Sequence, residues 1–441
     1  MSTVLFWFRN DLRLHDQPAL HAALHSGASH LLPVVCPAPA DEASLWGFAR
    51  VGPHRQAFAA AALRGLGARM AALGNPLLVC HAAPAAALPA LARAVGATTV
   101  VCEDIAAPYE RAEVAALRAA GLQVHTVWHS SLLRPADMPW PAADLPAVFT
   151  PFRQAVERAG ITPLAPLPAS ASLLPPPRVP PDALWHTWGA VTARAEQGTA
   201  TIDNPAGSDP RSSFPYATPA CDGSEAAALA HLAQYLARKL PHSYKATRNG
   251  LAGVDYSSKF SPWLATGALS PRRVYADLKT FERDHGANDG SYWLWFELLW
   301  RDYFRLLHLQ HGTALHRARG LSALPPVPHS APGFERWCQG RTGEPLVDAA
   351  MRELAATGSL SNRLRQVAAS YLIHDLHGDW RAGAAWFESQ LVDYDVYSNQ
   401  GNWLYIAGRG TDPRGGRRFN PIKQAQDHDA DGSYRRLWGT L

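Results

Sequence analysis

Cysteine is scarce in this 441-residue chain, and the five present (Cys36, Cys80, Cys102, Cys221 and Cys338) are scattered with no CxxC pair. That spacing argues against a disulfide framework and against a metal centre such as zinc. It favours a reducing compartment, the cytoplasm. Long apolar runs are missing too: nothing approaches the ~18 consecutive apolar residues of a membrane span. The opening segment, MSTVLFWFRNDLRLHD, has an apolar patch too short for a signal peptide and meets charge too early. No GxGxxG follows the first apolar run, so the dinucleotide fingerprint is absent. No internal repeat is visible. The closing SYRRLWGTL carries no acidic or low-complexity tail, which leaves little room for a signalling extension.

What is present is ordinary in bulk and unusual in detail. Hydrophobic residues at 47% and charged residues at 18% suit a globular protein, and the length implies two or three domains. A net charge of +4 and a pI near 8.8 permit a polyanionic partner without demanding one. Fifteen tryptophans are a heavy load, to be read either as core filler or as stacking and electron-transfer groups.

Residues 1–130 alternate short apolar runs (TVLFWFR, LLPVVC, PLLVCH, TTVVCED, QVHTVWH) with Ala-rich helical stretches such as HRQAFAAAALRGLGARMAAL. Alternation of this kind predicts an α/β domain with a parallel sheet covered on both faces. Residues 131–223 form a connector whose stretch at 163–186, PLAPLPASASLLPPPRVPPDALWH, is too rich in proline for regular structure. From 224 to 441 the apolar period is helical throughout and no strand run intervenes, so this part is expected to be all-α.

Chemistry-bearing residues concentrate in the helical part. In 244–275, YKATRNGLAGVDYSSKFSPWLATGALSPRRVY, Ser261-Pro262 and Ser270-Pro271 each set a capping hydroxyl before a proline at a helix start. Ser257, Ser258 and Lys259 lie just upstream, together a phosphate cradle or merely capped helices beside a lysine. In WLWFELLWRDYFRLL, Glu297, Trp300 and Arg301 share a helix face. They could hold a planar polar ligand, or form an i,i+4 ion pair with Trp300 in the core. Asn362, Arg365, Gln366 and Ala369 also share a stripe, with Arg363 pointing elsewhere. Two aspartates, Asp393 and Asp395, open DYDVYSNQGNWLY after an apolar helix. Burying them requires partners, and Arg365 is a natural one for Asp393, either at a ligand or as a structural pair.

The order and content of these motifs resemble the DNA photolyase/cryptochrome family, most of all its cryptochrome-DASH branch. The resemblance runs from WFRNDLRLHDQPAL through FTPFRQAVE to FNPIKQAQDHDADGSYRRLW. It is densest in DYSSKFSPWLATGALSPR, FELLWRDYFR, TGEPLVDAAMRELAATGSLSNRLRQ and DYDVYSNQGNWLYIAG. It implies a Rossmann-like α/β domain tied by a long connector to an all-α domain holding a U-shaped FAD.

By that resemblance Tyr244, Ser257, Ser258, Lys259 and Ser261, with Phe260 and Arg301 of the same motifs, bind the cofactor. Asn362 and Arg365 line the flavin ring, Asp393 pairs with Arg365, Asp395 accepts from the ring and Asn399 faces its N5. The implied reaction is light-driven repair of cyclobutane pyrimidine dimers by a deoxyribodipyrimidine photo-lyase. Glu297 would hydrogen-bond the flipped dimer, Trp300 would stack on it, and Asn362 and Arg363 would position it. Gln366 and Tyr405 mark the DASH branch and a preference for single-stranded DNA, with Arg248 and Arg363 as DNA contacts. Leu364 departs from the glycine usual in that branch. Trp403, Trp380 and Trp337 match an electron-transfer chain, with Trp403 nearest the flavin and Trp337 at the surface. Glu103 and Glu110 are candidates for a methenyltetrahydrofolate antenna. The protein is expected to be a monomer with no membrane partner. The rival readings are a blue-light photoreceptor and a nucleic-acid-binding flavoprotein with vestigial chemistry.

Overall fold

Each of the first helices begins with a proline, whose fixed φ and missing N–H suit the first helical position. A computed structural model describes residues 2–39, 41–187, 209–326 and 328–439, with the backbone alone at 142; the stretch 188–208 of the expected connector lies outside the described residues. Strands β1 (Thr3–Phe8), β2 (His30–Val35), β3 (Leu78–Cys80), β4 (Ala97–Glu103) and β5 (Gln123–Val127) alternate with α1 (Pro18–Leu24), α2 (Pro53–Ala72), α3 (Pro84–Val95) and α4 (Pro108–Ala119). The five strands pair in parallel in the order β5-β4-β1-β2-β3, the doubly wound arrangement expected of the alternation. β1 is buried at every position, as a central parallel strand covered on both faces must be.

A sixth strand, β6 (Trp185–Thr187), comes from the proline-rich connector and pairs antiparallel with β3. The sheet therefore extends past residue 130, because Trp185 finds a place in the apolar cluster on one sheet face. Upstream, the connector is irregular but pinned: Leu167 N–H donates to Asp16, and Asn75 donates to Leu174 O.

One more helix, α5 (Phe149–Arg158), precedes β6, and beyond β6 the regular structure of the described chain is helical: α6 (Glu225–Ala237), α7 (Tyr244–Thr247), α8 (Ser261–Thr266), α9 (Pro271–His285), α10 (Asp289–His311), α11 (Ala331–Cys338), α12 (Pro345–Thr357), α13 (Asn362–His374), α14 (Trp380–Gln390), α15 (Val396–Ala407), α16 (Pro421–His428) and α17 (Ser433–Leu437). Phe149, Phe152 and Val156 of α5 join the helical core, not the sheet. No helix among the described residues is long and apolar enough to cross a membrane.

A buried polar seam joins the two parts. The segment after β1 sends Arg13 to Gly267 O at 2.9 Å, and Asp16 accepts from Ser270 and, at 2.6 Å, from Arg272. Gly267, at φ +73°, lies so close to Asn10 that an added Cβ would fall 2.0 Å from its carbonyl oxygen. Glu225 at the start of α6 accepts from the backbone of Leu14 and His15.

Burial alone would raise the Asp16 carboxyl, but Arg13 and Arg272 together hold it below the usual aspartate range. Its contribution is present in full above the unfolded value of about 4 and is lost as pH falls through the lower folded value. Asp16→Asn strands the Arg272 guanidinium, so urea unfolding should show a loss of about 3–5 kcal/mol at neutral pH and a flatter acid limb.

Candidate cofactor and substrate site

Ser361 caps α13 by accepting from Leu364 N–H at 3.3 Å, and this start point aims Asn362, Arg365 and Gln366 at one cleft. The opposite wall is Asp393, Asp395 and, from α15, Asn399, Asn402 and Trp403. A second cleft, walled by Arg248, Tyr256, Ser257, Lys259, Ser261 and Ser359, shares Asn362, Arg365 and Asp393 with the first. The two enclose about 510 and about 460 Å³ of open space and meet at an elbow, a bent cavity of cofactor size.

The aspartates are paired as buried carboxylates must be. Arg365 Nη2 donates to both oxygens of Asp393 at 2.9 and 2.8 Å, as anticipated. Asp395 caps α15 through Ser398 N–H at 2.8 Å and accepts from Arg305 Nη2 at 2.7 Å. Burial would raise Asp395, but Arg305 and Arg301 pull it well below the usual carboxylate range. Arg305 was missed in the sequence reading, although it stands one turn after Arg301 on the same helix. Asn399 Nδ2 donates to Ala384 O at 3.0 Å, which fixes its amide at the cleft wall.

In the second arm Lys259 is 8% exposed, sits at φ +57°, and has neither a hydrogen bond nor an ion pair among the described residues. Its Nζ lies 3.3 Å from the Tyr256 ring centroid. Burial, with Arg365 nearby, lowers its pKa to about 7 despite Glu353. Ser261 does not cap its helix, unlike Ser270, so its exposed hydroxyl is free to face a ligand. Three other expected cofactor residues do not line this arm. Phe260 packs into the core against Tyr235 and His231, Tyr244 is buried, and Ser258 uses its carbonyl to accept from His231. Arg301 lines neither arm: it donates to Ser130 O and Leu264 O and ties the parts of the chain together.

The residues expected at a substrate divide. Trp300 and Tyr405 wall a third cleft of about 650 Å³ with Phe149, Thr411 and Arg414. Phe149 stacks on Trp300 at 3.8 Å and 9°, so one indole face is already covered; this partner was not singled out in FTPFRQAVE. Glu297 pairs with Arg248, not with Arg301 in the next turn. Arg363 donates to Asn249 at 3.2 Å and lines none of these clefts. Leu364 is wholly buried, so its departure from glycine acts through helix packing.

The tryptophan order needs correction. Trp403 lines the cofactor-sized cleft, but Trp337 is fully buried, not at the surface: its N–H donates to Ala368 O and its ring lies 6.3 Å from Trp403. Trp380 is also buried, and has no ring partner among the described residues. Glu103 faces inward at 4% exposure rather than an open groove, where burial and then Asp11 push it up to about 7.

The family description "DNA photolyase" matches residues 4–171, and "FAD binding domain of DNA photolyase" matches 293–439. Cryptochrome DASH of Gloeobacter violaceus is 43% identical over 99% of this chain and 85% of its own length. The chain belongs to the DNA photolyase/cryptochrome family. Cryptochrome DASH of Xenopus laevis is 41% identical over 99% of this chain and 82% of its own. Among solved structures, the cryptochrome of Synechocystis sp. PCC6803 superposes with a TM-score of 0.88 at 41% identity, covering 99% of this chain and 88% of that one. A class III photolyase from Agrobacterium tumefaciens gives 0.79 at 29% identity, covering 99% and 86%.

The cavity fits the family's FAD. The unpaired Lys259, with Ser257 and Ser261, suits a diphosphate, and the amides of Asn362, Gln366, Asn399 and Asn402 suit the edges of a flat polar ring. Binding of FAD should then take up a proton at Lys259. Affinity is expected to hold below pH 7 and to fall by up to about tenfold per unit above it, where the free lysine is neutral. Calorimetry in buffers of differing ionisation enthalpy should register that proton, and Lys259→Met should abolish both the uptake and the slope.

Proposed function

We propose that this protein repairs cyclobutane pyrimidine dimers, preferably in single-stranded DNA, under blue light, as a deoxyribodipyrimidine photo-lyase. The observation that carries the reading is the placement of the aromatic cleft. The space walled by Trp300 and Tyr405 shares the helix α15 with the cofactor cleft: its residues Asn399 and Trp403 line one and Leu404 and Tyr405 the other. Such an arrangement suits electron exchange between a bound ring and a flipped base, and needs no general base. Reduced FAD, when bound, supplies the electron that opens the dimer and takes it back.

The residues have the remaining work. Glu297, raised by burial and opposed by Arg248, can offer a hydrogen bond to a dimer carbonyl or imide. Asn399 presents an uncharged amide, which suits an electron-rich ring better than a carboxylate would. Tyr405 makes the aromatic cleft less apolar, and Gln366 does the same for the cofactor cleft; stacking then gains little against unpairing, and a dimer already single-stranded is the cheaper substrate. Arg248, which also walls the cofactor arm, and Arg363, which lies outside the clefts, supply contacts to DNA phosphates. We place a methenyltetrahydrofolate antenna against Glu110, whose carboxyl burial raises and whose carbonyl accepts from Arg9 at 3.1 Å. The protein acts as a cytoplasmic monomer. The second reading, a blue-light photoreceptor, is favoured by the name Cryptochrome DASH that the relatives carry.

Photoreduced protein should repair one thymine dimer in a single-stranded oligonucleotide under blue light and leave the matched duplex unrepaired. Comparable repair of both substrates would make it a general photolyase; repair of neither, with FAD bound and photoreducible, would favour the receptor. Glu297→Ala should cost about 1.5–3 kcal/mol in dimer repair while binding of undamaged single strands is spared. Raising salt should weaken both kinds of binding together, since phosphate contacts dominate affinity.

A further inference from the structure

An electron relay that begins at Trp403 cannot end at Trp337, because that indole has no solvent-exposed surface. The aromatic contacts continue past it. Trp337 packs nearly parallel to Phe334, centroids 6.0 Å apart at 24°, and Phe334 lies 6.5 Å from Trp46. Trp46 is partly exposed and belongs to the loop between β2 and α2, so the contact crosses from the α/β part to the helical part. The loop is held in place: Arg50 donates to Glu388 of α14 at 2.9 Å and to Glu42 at 2.8 Å, and Gly52 N–H donates to Ser389 O at 2.9 Å.

We propose that Trp46 is the surface terminus of the relay, reached from Trp337 across Phe334, and the point where a soluble thiol refills it. The proposal rests on the FAD photochemistry argued above. One electron leaves Trp403 for the photo-excited oxidised flavin. Trp337 restores Trp403, and Trp46 restores Trp337, with the harder-to-oxidise Phe334 ring serving only as a bridge. The net change is one electron from Trp46 to the flavin. Arg381, paired with Asp379 at 2.6 Å, holds its guanidinium 5.9 Å from the Trp46 ring and disfavours a second positive charge there. The oxidised indole therefore gives its N–H proton to water. A thiol then returns a hydrogen atom to Trp46, and two thiyl radicals couple to a disulfide.

The test uses the full FAD-loaded chain with a thiol donor. Trp46→Phe should keep its FAD content and slow photoreduction several-fold, and the lifetime of the deprotonated tryptophan radical in transient absorption should shorten. In the native chain, a nitroso spin trap present during illumination should leave its adduct on Trp46, located by peptide mass mapping; this arm needs no variant to fold. A native rate in Trp46→Phe, or an adduct on Trp380 or Trp386 in place of Trp46, overturns the proposal while leaving the cofactor reading intact. A native chain that binds FAD and never photoreduces overturns the proposal together with the flavin photochemistry on which it rests.

Discussion

The clamp between Arg365 and Asp393 is the contact on which the site depends. It joins the first turn of α13 to the segment that leads into α15, and it stands at the elbow where the two arms of the cavity meet. A carboxylate here would be costly without its guanidinium, and a guanidinium here would be costly without its carboxylate. Asp395 and Arg305 repeat the arrangement two residues on, this time fastening α15 to α10. The buried aspartates thus hold the walls at a fixed separation before any ligand enters. Lys259 is the exception, a buried lysine that makes no ion pair among the described residues, and the contrast separates a charge that holds the fold from one that suits a ligand.

Much of this was legible in the sequence where period and residue type agreed. The five apolar runs became the five parallel strands, and the pairing of Arg365 with Asp393 followed from the shared stripe and the need to compensate a buried acid. What escaped was set by tertiary placement. Nothing local to Trp337 distinguishes a buried indole from an exposed one; its burial depends on Phe334, Phe387 and Ala368 closing around it. Arg301 and Arg305 are alike in sequence, yet one turns to backbone carbonyls and the other to Asp395. The strand β6 was hidden because three residues at the end of a proline-rich stretch carry no period, and only the open edge of β3 makes them a strand. Phe149 over Trp300 likewise depends on where the connector returns.

The domain seam makes the two parts mechanically one. The segment after β1 carries Arg13 and Asp16 into the helical part, and the loop after β2 carries Trp46 and Arg50 to α14. Both crossings are made by segments leaving the carboxyl ends of central parallel strands, where a doubly wound sheet usually presents its ligand site. In this fold those ends are largely taken up by contact with a second domain.

One helix, α15, is the common wall of two clefts, and helical geometry ties its two faces together. Successive residues point about 100° apart, so the register between Asp395, which caps it, and Gly408, which ends it at φ +64°, decides which side chain serves which cleft. A substitution alters one wall at a time. An insertion or deletion of one residue would rotate every later side chain, turning Tyr405 and Trp403 out of their clefts together. The helix is thus open to change in chemistry and closed to change in length.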